Sequence, residues 1–181
     1  MKNERDKYLL KDEYRRFIDN TPEQYKLFWE IVFSAGLRIS EGLNITVNDI
    51  LYSENKILVT TLKRKNHPII PVIMPKNIID SIQEHLQNNP AINGKIWKYS
   101  RQYAWKMFKS ICVKADLNPK YSPHAARHSH GVMIADVTNG NMVEIKNRLR
   151  HSSIKSTEFY VHVSETKQKE LIQKLEKYLN E

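Results

Sequence analysis

Cysteine is almost absent from this chain. A single residue, Cys112, leaves no internal disulfide and no cysteine-based zinc site to be built. That fits a reducing compartment. Glycine is also scarce, five residues in 181, and two of them, Gly36 and Gly140, fall where helical patterns stop. No apolar run approaches the roughly 20 residues that cross a bilayer. The opening Met1-Lys2-Asn3-Glu4-Arg5-Asp6-Lys7 has no apolar stretch behind its charges, so it does not read as a secretory signal. No lipidation motif stands out. Acidic residues are in deficit, 20 against 29 Lys and Arg, for a formal charge of +9. A surplus of this size points to a polyanionic partner. It also occurs in basic proteins without one, so charge alone does not decide.

What is present is mostly helical periodicity. Tyr8 to Asn20 carries Leu10, Tyr14, Phe17 and Ile18 on one face. Thr21-Pro22 then reads as N-cap and first helical position. Glu23 to Ala35 is a broad apolar stripe that Gly36 ends, and Ser40 can cap a short helix through Leu43. Two β-branched runs, Lys56 to Thr61 and His67 to Met74, flank the basic tip Leu62-Lys63-Arg64-Lys65-Asn66. They predict a hairpin whose prolines confine the second strand to an edge. Further helices are expected from Pro75 to about Asn88 and from Ser100 to Ala115, the latter with Tyr103, Met107, Phe108 and Ile111 inward. Ser122-Pro123 opens another that Asn139-Gly140 stops. Met142 to Leu149, Ser153 to Tyr160 and Glu165 to Leu179 complete the set, the last striped by Leu171, Ile172, Leu175 and Leu179. The fold class is mainly α with a small antiparallel β-sheet.

The chemistry gathers in three stretches: Gly36-Leu37-Arg38-Ile39-Ser40-Glu41, His124-Ala125-Ala126-Arg127-His128, and His151 to His162 with Tyr160 nine residues after His151. Guanidinium groups grip non-bridging phosphate oxygens in a fork. Histidine moves protons near neutral pH. A tyrosine oxygen becomes a nucleophile once its charge is stabilised. Taken singly, each has a plainer use. A tyrosine most often packs, an arginine at a helix end is most often a surface charge, and Lys63 to Lys65 alone is a solvated turn. His124 and His128, four apart on a helix, could bind zinc, but no Glu follows His124 and Arg127 would set a fixed positive charge beside the metal.

In this order and spacing the stretches resemble the tyrosine recombinases, the phage integrase and Xer-type family, over roughly Glu13 to Lys169. The resemblance implies that family's catalytic-domain fold across residues 1–181, and catalytic roles for Arg38, Lys63, His124, Arg127, His151 and Tyr160. Thr157 and His162 fit the local pattern around the tyrosine. Two departures stand out. Leu149-Arg150-His151 has arginine where the family has glycine, and the tip Thr61-Leu62-Lys63-Arg64-Lys65 lacks flanking glycines, so Lys65 competes with Lys63 as the acid.

The implied activity is site-specific cleavage and rejoining of DNA strands. Tyr160 forms a 3′-phosphotyrosyl link, with no metal and no other cofactor. Arg38, Arg127 and His151 stabilise the phosphate, the lysine protonates the leaving 5′ oxygen, and His124 assists proton transfer or orients Tyr160. The implied partners are double-stranded DNA, with Arg64, Lys65, Arg148 and Arg150 as contacts, and further copies of the chain in a tetrameric synapse, with no membrane. The implied location is cytoplasmic, at the nucleoid. Family members usually carry an N-terminal helical clamp domain, for which there is no room before the first helix here. An inactive DNA-binding module and a type IB topoisomerase-like relaxing enzyme are the alternatives. The intact Tyr160 and both arginines argue against the first, and synaptic assembly separates recombination from the second.

Overall fold

The computed structural model describes residues 7–61, 66–151 and 153–162 (backbone alone at 159, 161 and 162), with 172, 173 and 176 beyond them. The chain divides into two compact units, 1–129 and 130–181, and the division falls within one helix.

The first unit holds α1 (Lys11–Asp19), α2 (Glu23–Ala35), α3 (Ile39–Gly42), a three-stranded antiparallel sheet, α4 (Lys76–Asn88), α5 (Arg101–Lys114) and the start of α6 (His124–Val137). Its core is aromatic where α1, α2 and α5 meet. The Phe17 ring lies 5.6 Å edge-on from Trp29 and 4.9 Å from Phe108, and all three are fully buried. Burying a side chain of this size contributes about 1.5–3 kcal/mol. α4 turns Ile78, Ile79 and Ile82 inward. The single thiol, Cys112, is buried, and desolvation pushes its pKa up to about 12, so it is unreactive at neutral pH.

The sheet runs β1 (Ile50–Leu51), β2 (Lys56–Thr60), β3 (Ile69–Ile73), in that spatial order. Ile57 pairs with Val72 and Leu58 with Pro71, which puts the proline-bearing strand at the edge as expected. The short β1 has too little length to announce itself by alternation. The hairpin closes with the Thr61 amide donating to the Pro68 carbonyl at 3.0 Å. The basic tip, Leu62 to Lys65, lies outside the described residues.

Local details depart from the expectations in instructive ways. Thr21 does not cap α2, whose N-cap is Pro22. Its hydroxyl donates instead to the Phe17 carbonyl at 2.7 Å, satisfying the end of α1. α3 begins one residue before Ser40, at Ile39, because Glu41 turns back to accept the Arg38 amide at 2.9 Å. Tyr103 is 44% exposed rather than inward, since its hydroxyl meets that of Tyr25 at 2.6 Å.

The second unit holds the remainder of α6, α7 (Met142–Arg148) and α8 (Lys155–His162). Asn141 caps α7, its side chain accepting from the amides of Val143 and Glu144. Of the stripe expected in the last helix, Ile172 is helical and exposed, and Leu171, Leu175 and Leu179 lie outside the described residues, as does its cap, Ser164. Among the described residues no helix is long and apolar enough to cross a membrane.

Candidate active site

Both site-bearing segments leave their helices through the same kind of turn. At the end of α2, Gly36 takes a left-handed conformation, φ 57°, and the Leu37 amide reaches back to the Val32 carbonyl. Arg38 follows directly. At the end of α7, the Arg150 amide donates to the Asn147 carbonyl and the His151 amide to that of Lys146, the paired bonds of a Schellman stop. The left-handed residue there is Arg150, φ 55°, where glycine would be unstrained. Arg150 is 6% exposed, and its Nη1 donates to the Arg148 carbonyl at 3.2 Å. Arg148 is half-buried, and desolvation pulls its pKa below the usual arginine value. Arg150→Gly and Arg150→Ala both delete the guanidinium, so their difference isolates the backbone strain. The glycine variant is expected to be more stable by about 1 kcal/mol, measured by urea denaturation.

In the first unit, one buried carboxylate organises both arginines. Glu41 is 2% exposed. Its Oε1 accepts from Arg38 Nη1 at 2.6 Å, and its Oε2 lies 4.0 Å from Arg127 Nη1. Arg127 is itself 2% exposed and donates from Nη1 to the Gly36 carbonyl at 2.6 Å. The motif thus ties its own glycine and glutamate to an arginine about ninety residues on. Arg38 keeps a buried Nε with no hydrogen-bond partner among the described residues. That is a donor held out of water, suited to an incoming acceptor. Arg38 and the exposed His124 line one cavity of about 580 Å³ together with Ser40, Arg101 and Trp105. The His124 ring stands edge-on to that of His128, 4.6 Å between centroids. Among the described residues no group of three or more His, Cys, Asp or Glu side chains is placed to hold a metal.

The second unit brings His151 and Tyr160 together, ring centroids 6.1 Å apart and nearly parallel. His151 Nδ1 shares a hydrogen bond with Thr157 Oγ1 at 3.2 Å, and Thr157 is fully buried. Such a bond fixes the ring and directs Nε2 elsewhere. The Tyr160 ring is 2% exposed and lies against α6 at Gly131, where an added Cβ would fall 2.4 Å from Cε1. Only glycine admits the ring there. The His162 side chain, and Lys63, Arg64 and Lys65, lie outside what the structure describes.

Sequence reasoning left three contributors without a role. Glu41 stands three residues after Arg38, the spacing by which a carboxylate reaches back to a helix's first amide, and that was the available signal. Trp105 and Arg101, four apart on α5, line the Arg38 cavity with no signal beyond their shared face.

The sequence matches the model of the Phage integrase family over residues 7–167, and the chain belongs to that family. The tyrosine recombinase XerD of Staphylococcus saprophyticus is 27% identical over 148 residues, covering 76% of this chain and 49% of that protein. The ICEBs1 integrase of Bacillus subtilis is 29% identical, covering 96% of this chain and 55% of that protein. The chain therefore spans about half the length of the curated relatives it matches. The fold is that of the XerH site-specific recombinase crystallised with a palindromic difH substrate as a post-cleavage complex. The TM-score is 0.79 at 17% identity, over 94% of this chain and 54% of that one.

Proposed function

We propose that this chain is the catalytic domain of a site-specific DNA recombinase of the integrase type, acting through a covalent tyrosine intermediate. The observation that carries the proposal is the pair of arginines, Arg38 and Arg127, held by the single buried carboxylate of Glu41 behind a cavity shared with His124. A phosphodiester transition state gathers negative charge on its non-bridging oxygens. Rigid positive donors stabilise it most where they need not reorganise. The XerH recombinase on its difH substrate, the ICEBs1 integrase among the relatives and the Tn1549 transposon integrase in complex with transposon right end DNA support the same substrate class.

In the proposed reaction the phenol oxygen of Tyr160 attacks the phosphorus, and the bond to the 5′ oxygen breaks. The electron pair leaves with that oxygen, which takes a proton from Lys63. The phenol proton departs with help from His124, and His151 donates to the phosphate. The bond energy is kept in the phosphotyrosyl link, so rejoining needs no cofactor. The proposed partners are duplex DNA, contacted also by Arg64, Lys65, Arg148 and Arg150, and other copies of the chain in a tetrameric synapse. The proposed place of action is the nucleoid in the cytoplasm. The carrying test is trapping. A site selected from random duplexes, nicked just beyond the scissile phosphate, releases the cleaved fragment. A denaturant-stable adduct with a free 5′ hydroxyl should form in excess chelator. A requirement for added metal would discard the mechanism.

The same assay assigns the acid. General acid catalysis is worth about 10²–10⁴-fold, and a 5′-bridging sulfur leaves without a proton. Lys63→Ala should slow the ordinary substrate severely and the sulfur substrate little. The same rescue with Lys65→Ala, and not with Lys63→Ala, would transfer the role.

A further inference from the structure

The cavity of Arg38 and His124 does not end at those side chains. Ser40 and Arg101 line it and also line a second cavity of about 330 Å³, whose other walls include Asn44, Lys95, Trp97, Lys98 and Tyr99. Together the two carry Arg38, His124, Arg101, Lys98 and Lys95, and among the described residues no aspartate or glutamate lines either.

The lysines are built into place rather than scattered on a loose surface. The 94–96 strip is stitched to the strip before it: the Val47 amide donates to the Gly94 carbonyl, and the Ile96 amide to that of Ile45. Ile96 and Trp97 are buried at 4% and 3%, and the Trp97 ring packs 5.6 Å from Phe28. The exposed Lys95 and Lys98 flank this buried pair and so face outward on either side of it. Lys95 Nζ donates to Asn44 Oδ1 at 2.6 Å, a neutral partner that leaves its charge uncancelled. Arg101 opens α5, where the helix's positive end adds to the field. Were these only solvated surface charges, acidic side chains would be expected among them, as on most mixed surfaces.

We propose that the joined cavities form a trough for one DNA backbone strand running away from the phosphate at Arg38, with Arg101, Lys98 and Lys95 meeting successive phosphates. This rests on the DNA substrate proposed above. Each phosphate neutralised steepens the fall of log affinity with log salt by about 0.9.

The test measures binding of the protein to a duplex of arbitrary sequence, by fluorescence anisotropy across a salt series. The double variant Lys95→Gln/Lys98→Gln should flatten the slope by about 1.8 and weaken binding at moderate salt by about tenfold or more. Both side chains are exposed, so the fold should survive, and circular dichroism checks this. The control is Lys106→Gln/Lys114→Gln, two exposed lysines of α5 that line neither cavity and should leave the slope unchanged. A wild-type slope in the trough variant overturns the proposal. So does an equal drop in the control, which would mean general surface charge. A wild-type protein that binds with the predicted slope yet forms no covalent adduct would sink the catalytic reading and leave the trough standing.

Discussion

Tyr160→Phe is expected to bind DNA as the wild type does and to form no covalent adduct at all. The substitution removes one oxygen. The ring is set against Gly131 at 2% exposure, and the variant keeps that ring. What is lost is the oxygen proposed to bond to phosphorus. A phenol with a pKa near 10 is a weak nucleophile at neutral pH, and its activation depends on positive groups that favour the phenolate as it forms. Those groups remain in the variant, so residual adduct would point to a different nucleophile. The measurement is single-turnover trapping on the nicked duplex with denaturing electrophoresis. An adduct in the phenylalanine variant would remove Tyr160 from the mechanism.

Arg127→Ala should fail twice, in stability and in chemistry. Its guanidinium is 2% exposed and holds the Gly36 carbonyl. Deleting it removes that donor to the Gly36 carbonyl and one of the two cations that the described residues set near buried Glu41. Breaking a buried charge pair by removing one member costs about 3–5 kcal/mol. Loss of one preorganised donor to the transition state costs about 10²–10³ in rate. Arg127→Lys separates the two effects. It returns the charge but not the forked geometry, so it should recover much of the stability and little of the rate. Urea denaturation reads the first and single-turnover trapping at saturating DNA the second. A lysine variant with the wild-type rate would show that charge alone suffices.

The sequence made the helices legible wherever a local signal ended them. Gly36 stops α2 by adopting a conformation other residues resist, and Ser100 caps α5 by accepting the Tyr103 amide. It misplaced residues whose partners lie far away in the chain. Tyr103 sits on an apolar helical period, but Tyr25, 78 residues earlier, draws its hydroxyl outward. Within the candidate site, Arg38 and Arg127 were legible as motif positions. That Glu41 lies within reach of both was not, because the link to Arg127 exists only once α3 and α6 are folded. The trough was invisible for the same reason. Lys95 and Lys98 stand among loop signals, and only the pairing of their strip with residues 45–47 brings them to the wall that Ser40 and Arg101 share with Arg38.

The edge of the sheet bears on how the protein keeps from aggregating. β3 presents Ile69 and Ile73 at 61% and 62% exposure on an outer strand. Exposed isoleucines on an outer strand can invite another chain to add a strand, the first step toward fibrillar stacking. Between them stands Pro71, opposite Leu58, which has no amide hydrogen to offer a newcomer. An incoming ladder is interrupted at its centre. The proline that weakens β3 as a strand also limits what can be added beyond it.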